Sequence, residues 1–362
     1  MSIEEKLKTA RLPDTVLNDF KNPSIEESDV CVLGVAFDAT TYYAKGTWFG
    51  PEAIMAAFDP LDWEDPLFGI DFQEKVKTHF LGLLEYPKTI QNGKIQNWSI
   101  QKIDSFSEEM IQDVQEVTLK VLEQKKLLVS LGGEHSISIG VFNAIAKKFN
   151  PKKVTIIQLD AHPDLRENLN GLKHSHGSVM KHALDLGFPI IQIGVRDQLY
   201  REEINLIKEK KLASAIFPCP TMPLAYYPVR HSFLELENFL WNGVFSLEAV
   251  DRILNQVKTP FVYLTIDVDG FDPVFFPGVG TPLPFGLDLA SAQDFLFRLF
   301  RHFKEKKIQV LGFDVVEVAP QLKMNVEEYN PLQTISTLTE VNAALLTYKL
   351  LLWLFLDRFN RD

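Results

Sequence analysis

Three short segments of this 362-residue chain bring together side chains of the kind that hold divalent cations. Leu131-Gly-Gly-Glu-His135-Ser136 ends an apolar run with two glycines, a histidine and a serine placed to cap a following helix. Asp160-Ala-His162-Pro-Asp164 follows a second apolar run and alternates carboxylate, imidazole and carboxylate. In an extended chain positions i, i+2 and i+4 project to one side. Asp267-Val-Asp269-Gly-Phe-Asp272-Pro273 repeats the pattern after a third run, with Asp272 placed to tie the turn that follows. Taken singly, each segment has an ordinary reading as a glycine turn, a solvated acidic loop or a structural Asp-x-Asp. Carboxylates set side by side at the end of a buried strand are costly without a compensating cation. Together His135, Asp160, His162, Asp164, Asp267 and Asp269 supply four carboxylates and two imidazoles, and four negative charges match two divalent cations. Oxygen-rich ligation with limited nitrogen and no adjacent cysteine favours Mn2+, with Ni2+ or Co2+ able to use the same ligands. Two such ions about 3.5–4 Å apart make a shared hydroxide nucleophilic near neutral pH.

Elements of a particular kind must position these groups. Short apolar runs rich in β-branched residues occur at 30–35, 79–84, 127–131, 154–159, 190–195, 261–266 and 308–315. Segments of helical period lie between them, among them 108–123, 136–148, 178–186, 287–303 and 336–355. This alternation predicts βαβ units and a mainly parallel central sheet covered on both faces, a three-layer α/β/α arrangement. In such sheets ligands bind outside the carboxyl ends of the strands, where all three motifs fall. No internal repeat or low-complexity linker interrupts the pattern, so residues 1–362 read as a single domain. The exception is 217–245, where four prolines by Pro228 argue against a regular element and predict a long, insertion-like loop.

Bulk properties narrow the class. A formal charge of −11 argues against a nucleic-acid partner and suits a protein that carries cations. Cys31 and Cys219 show no metal or redox spacing, and a reducing compartment is the expectation. The N-terminal residues lack the apolar core of a secretory signal. The apolar stretch 343–356 is interrupted by Lys349 and is shorter than the ~18 residues a membrane span requires, so it predicts a buried helix. These features together predict a cytoplasmic protein without a membrane partner.

In order and spacing, Gly132-Gly-Glu-His-Ser136, Asp160-Ala-His-Pro-Asp164 and Asp267-Val-Asp-Gly-Phe-Asp-Pro273 resemble the three metal motifs of the ureohydrolases. That family includes arginase, agmatinase, guanidinobutyrase and formiminoglutamase. The similarity continues through Gly278-Val-Gly-Thr-Pro282 and Asp314-Val-Val-Glu-Val-Ala-Pro320, with a weaker echo at Lys45–Ile54. The resemblance implies an arginase-like fold with two Mn2+ per subunit. His135, Asp160, Asp164 and Asp267 would hold one ion, and Asp160, His162, Asp267 and Asp269 the other. It further implies attack of the shared hydroxide on a guanidinium carbon, with Asp164 passing a proton to the departing amine. His176, in Ser175-His-Gly177, matches a proton-shuttling histidine. Glu317 matches the carboxylate that orients the guanidinium, and Thr281 lies in the substrate-side turn.

The segments Asp164-Leu-Arg166 and Ser175-His-Gly-Ser-Val-Met180 look more like agmatinases than arginases. Agmatine, cleaved to putrescine and urea, is therefore the expected substrate, with Glu167 suited to its free amine. Guanidinobutyrate, met by Arg166 or Lys173, remains open, as do arginine, guanidine and formiminoglutamate. Three alternatives of other kinds are a single-zinc deacylase of related fold, a non-catalytic metal-binding subunit and a plain cation store. By the same resemblance the protein is expected to form a homo-oligomer, a trimer or a hexamer.

Overall fold

The computed structural model describes residues 5, 22–58, 64–65, 69–91, 94–220, 234–320 and 338–359. Its centre is an eight-stranded sheet. In chain order the strands are β1 (Val30–Ala36), β2 (Thr78–Glu85), β3 (Leu127–Gly132), β4 (Val154–Leu159), β5 (Ile190–Ile193), β6 (Ile216–Phe217), β7 (Phe261–Asp267) and β8 (Gln309–Val316). They lie in the order β6-β5-β4-β7-β8-β3-β1-β2, and every neighbouring pair is parallel. Val154-Thr-Ile-Ile-Gln-Leu159 is buried along its whole length, as expected of a strand covered on both faces.

The helices are α1 (Gly50–Phe58), α2 (Ile100–Glu123), α3 (Ser138–Lys148), α4 (Val179–Leu186), α5 (Arg201–Lys210), α6 (Leu247–Gln256), α7 (Leu289–Lys306) and α8 (Leu338–Leu354). Helices α2 to α5 pack into one apolar cluster with side chains from one face of the sheet. Helices α1, α6, α7 and α8 pack into a second cluster with the other face. On α7 the buried stripe is Phe295, Leu296, Leu299, Phe300 and Phe303, at helical spacing. Each such side chain contributes roughly 1.5–3 kcal/mol by leaving water. The result is the three-layer α/β/α fold.

Some boundaries differ from the sequence-based expectation for physical reasons. Helix α2 starts at Ile100, because the Ser99 side chain accepts from the Lys102 peptide N–H and caps it. Its first fully buried residue is Ser107, and in the turns before it Ile103 and Phe106 are only partly buried against the core. Helix α5 hides only Glu203 and Ile207, too little to stand out by periodicity. Helix α8 includes most of the 343–356 stretch and buries residues all round. Among the described residues no helix is long and apolar enough to cross a membrane. Residues 221–233 of the segment read as a loop lie outside the described residues. Its flanks hold β6 and short 3-10 turns at Leu236–Asn238 and Trp241–Gly243.

Candidate metal centre

The chain crosses from β3 over two positions to β4 and later returns to fill the gap with β7 and β8, making β4-β7-β8-β3 the middle of the sheet. The ligand motifs leave the carboxyl ends of β3, β4 and β7. At the end of β3, Gly133 and Glu134 donate to Val35 O and Phe37 O. A Cβ on Gly133 would stand 2.0 Å from Phe37 O, so only glycine permits this approach. One 3-10 turn, His135–Ile137, then carries the histidine inward. Ser136 does not cap the next helix as expected; its hydroxyl donates to the Glu134 carboxylate instead.

Beyond β4, Asp160 N–H continues the sheet bonding by donating to Ile193 O at 2.9 Å. Asp164 adopts a left-handed backbone with φ 50, a conformation that is costly for a residue with a side chain. The motif is thus a turn, and the simple extended alternation does not by itself place Asp164. The carbonyl of Asp164 accepts from the peptide N–H groups of Met180 and Lys181, tying the turn to the start of α4. Asp267 ends β7 and accepts from Asp269 N–H at 2.8 Å, which turns Asp269 back toward β4. There Asp269 Oδ1 accepts from Ala161 N–H. Asp272 ties the following turn through Val274 and Gly286 N–H, as its place before Pro273 suggests.

The result is a compact cluster. His135 Nδ1 lies 3.1 Å from Asp160 Oδ2, 3.1 Å from Asp164 Oδ2 and 3.5 Å from Asp267 Oδ2. His162 Nδ1 lies 3.1 Å from Asp269 Oδ2 and 3.5 Å from Asp160 Oδ1. Two ligand groups therefore share Asp160: His135, Asp160 and Asp164, and Asp160, His162 and Asp269. Five of the six residues are buried, His162 being the partly exposed one. His135 is oriented from behind by Thr265, whose hydroxyl lies 2.7 Å from its Nε2 and donates to Asp314. Asp314 also accepts from Ser138 and Tyr263, so this supporting carboxylate is fully occupied. Gln158 donates to Asp160 Oδ2 and is itself held by Gln192.

Electrostatics mark the same place. Burial pushes the Asp164 carboxyl up to about 7, and the charge of Asp160 adds to the effect. Burial likewise lifts Asp267 and Glu317 well above the usual carboxylate range. Burial would lower His135 and His162, but the surrounding carboxylates overcome it and hold both well above the usual histidine range. Such a group of strained titrations is what a bound divalent cation relieves. His135 Nδ1 and Asp164 Oδ2 are buried without a hydrogen bond although they face each other. A cation between them would satisfy both, and the oxygen-rich donor set fits two hard or borderline divalent ions.

The remaining sequence candidates surround the cluster. Glu317 follows β8 with φ 66 and accepts from His135 N–H at 2.8 Å. A side chain on Gly280 would meet its Oε2 at 3.6 Å, so that carboxylate lies beside the Gly278–Pro282 turn. Thr281 donates to Asp269 Oδ2 at 3.1 Å. A cavity of about 480 Å3 opens over the cluster, lined by His162, Asp164, His176 and Thr281 together with Tyr42, Tyr43, Arg166, Asp197, Tyr200 and Glu203. This is an ordinary size for a small-molecule site. Burial, helped by the positive neighbours His162 and Lys45, pushes His176 down to about 3 and keeps it neutral. Glu167 does not line this cavity and pairs with Lys181 at 3.0 Å. Arg166 lies over the Tyr200 ring at 4.0 Å.

Several residues that build the site carry no signal of their own in the sequence. Arg196 is buried and donates to the carbonyls of Asp269, Gly270, Phe271, Leu283 and Pro284, joining the ligand turn to the substrate-side turn. Thr40 and Asp197 sit in otherwise plain loops. Glu134 and Asp314 lie inside motifs whose neighbouring residues carry the ligand pattern, and nothing in their own spacing marks their supporting role.

The fold and this cluster define a class, and similarity to known proteins agrees with it. The model of the Arginase family matches residues 28–219 and 239–352. An N(1)-aminopropylagmatine ureohydrolase of Synechocystis sp. is 32% identical over 307 residues, covering 85% of this chain and 87% of its own. An agmatinase of Bacillus anthracis is 30% identical over 301 residues, covering 83% and 86%. The crystal structure of agmatine ureohydrolase of Thermoplasma volcanium superposes with a TM-score of 0.64 at 26% identity, covering 97% of each chain. The chain belongs to the Arginase family and is a hydrolase of the ureohydrolase class.

Proposed function

We propose that the chain, acting as one domain, is a two-cation hydrolase that releases urea from a small guanidino amine, agmatine first among them. The observation that supports this most is the meeting of His135 Nδ1 and Asp164 Oδ2, 3.1 Å apart and both buried without a hydrogen bond, beside the cavity. In this reading His135, Asp160, His162, Asp164, Asp267 and Asp269 would hold two divalent cations, Mn2+ first among the candidates. Divalent cations bound there would supply Lewis acidity toward water and the substrate.

The chain's own residues do the rest. A guanidinium has only N–H donors and no acceptor, so it calls for oxygen and nitrogen lone pairs around it. Glu317 offers a carboxylate to those N–H groups, and His176, kept neutral by burial, offers a ring nitrogen. Asp164, with Oδ2 committed to the cation, has its second carboxylate oxygen left to hold a proton and pass it to the departing amine nitrogen. Thr281 steadies Asp269 from the substrate side. For the far end of the substrate, Asp197 takes the place expected of Glu167: it lines the cavity with its side chain 29% exposed, open to an ammonium group.

The cavity runs past Tyr42, Tyr43 and Tyr200, which supports a longer guanidino polyamine such as N(1)-aminopropylagmatine as a second substrate. Arg166 in the same wall favours a carboxylate-tailed guanidine as the runner-up. Urea release measured in parallel from agmatine, N(1)-aminopropylagmatine, arginine, guanidinobutyrate and guanidine decides among these. Amine-tailed compounds should give the highest kcat/KM. A preference for guanidinobutyrate would assign the tail site to Arg166. Absence of urea from all five in the metal-loaded protein would overturn the reading and direct attention to formimino compounds. The proposal extends to a cytoplasmic homo-oligomer of three or six subunits on the family resemblance alone, which sedimentation velocity and cell fractionation test.

A further inference from the structure

The loop after β1 brings Thr40 against His176, and the hydrogen bonds around it leave the proton little freedom. The Glu134 carboxylate is fully buried and accepts from Thr40 N–H at 2.9 Å, from the Thr40 hydroxyl at 2.5 Å and from the Ser136 hydroxyl at 2.6 Å. A hydroxyl has a single proton to give, and toward an ionised Glu134 carboxylate Thr40 gives it there. The lone pairs of Thr40 Oγ1 are then left to accept. They face two nitrogens of the same residue, His176 N at 3.2 Å and His176 Nδ1 at 3.3 Å. The first is a peptide N–H and can only donate. For the second to form a bond with an oxygen whose proton is already committed, Nδ1 must carry the ring proton.

We propose that Thr40, locked by Glu134, fixes His176 as the Nδ1–H tautomer and so presents the Nε2 lone pair to the cavity. Thr40 is a positioning residue, since it acts on the substrate only through His176. The inference rests on the proposed function for its meaning: a guanidinium donates from every nitrogen, so an Nε2 lone pair attracts it and an Nε2–H group would repel it. His176 thereby enters the reaction as a hydrogen-bond acceptor toward the substrate. The same connection sets the ring's direction, because its main chain and its side chain are anchored to one hydroxyl.

The test is the tautomer itself, read by nitrogen-15 NMR of ring-labelled histidine in protein loaded with diamagnetic Zn2+. The His176 signals are assigned from their loss in His176→Asn. Wild-type protein and Thr40→Ser should show Nδ1–H and a bare Nε2, while Thr40→Val should show mixed tautomers or Nε2–H. With Mn2+ and the best guanidino substrate, Thr40→Val should raise KM at least tenfold with unchanged metal content, and Thr40→Ser should restore it to within threefold. An Nε2–H tautomer in the wild type overturns the inference whatever the activity, as does a Thr40→Val protein that keeps both tautomer and KM. If the wild type releases no urea but shows Nδ1–H, the proposed function fails while the role of Thr40 stands. Should Thr40→Val not fold, the wild-type tautomer and Thr40→Ser still decide.

Discussion

In the proposed function, Asp164 is the residue on which the chemistry of the site turns. Its backbone sits at φ 50, its carbonyl receives the first N–H groups of α4, and its Oδ2 is buried against His135 without a hydrogen bond. A side chain held in such a conformation is over-determined by its surroundings, as expected where function outweighs local stability. Asp164→Asn keeps the shape and removes the capacity to carry a proton. We expect kcat to fall by about 10²–10⁴-fold, the range general acid–base groups contribute, with circular dichroism unchanged. Activity within a factor of three of wild type, at equal metal content, would contradict the assigned role. That Asp164 joins the cluster was readable from residue type and spacing, because carboxylates and imidazoles cluster rarely at strand ends. Its left-handed turn was not, since nothing in Asp-Ala-His-Pro-Asp distinguishes an extended segment from a turn. Glu167 shows the opposite case: as a carboxylate it suited the free amine of agmatine, whereas it pairs with Lys181 in the first turn of α4 and does not line the cavity.

At the scale of elements, strand positions were legible because strands buried on both faces are continuous runs of Val, Ile and Leu, as in β4. Elements that bury little, such as the two-residue β6 and the largely polar α5, leave almost no pattern. The long-range ties between loops leave none. Arg196 is the clearest case, a single arginine whose guanidinium holds the turns 269–271 and 283–284 by their carbonyls. Arg196→Met removes these charge-assisted bonds and leaves buried carbonyls unpaired. Loss of two such bonds alone costs about 3 kcal/mol, and chemical denaturation should show a loss of at least that size. Arg196→Lys should recover only part of it, because an ammonium cannot reach both turns with the geometry of a planar fork. A denaturation midpoint unchanged in Arg196→Met would mean that the turns hold themselves.

Across the whole molecule, three of the four central strands bring together candidate ligands that lie up to 134 residues apart in sequence, from His135 to Asp269. The order of motifs was visible in the chain; the convergence required the crossover from β3 to β4 and the later insertion of β7 and β8. Concentrating carboxylates and imidazoles in one buried place links metal binding to pH. Asp164 is raised to about 7 by burial and by Asp160, and His135 and His162 are raised by the surrounding carboxylates. Cations bind the ionised carboxylates and neutral imidazoles, so protons compete and affinity must rise with pH. Below pH 7 we expect the metal affinity to fall about tenfold per pH unit for each proton displaced. Calorimetry of Mn2+ binding in buffers of different ionisation enthalpy measures that number, and zero proton release would contradict the electrostatic account. Metal should also raise the thermal midpoint, since a ligand bound only by the folded state stabilises it by mass action.

On the proposed function, the cluster of six candidate ligands makes this chain a urea-releasing hydrolase. The most direct test is urea production from agmatine by Mn2+-loaded wild-type protein beside Asp269→Ala, with bound manganese counted in both. The account predicts two ions and steady urea release in the wild type, with fewer ions and release lowered by at least a thousandfold in the variant, roughly the ~4 kcal/mol that such a factor represents. Equal urea release from the two proteins would contradict it.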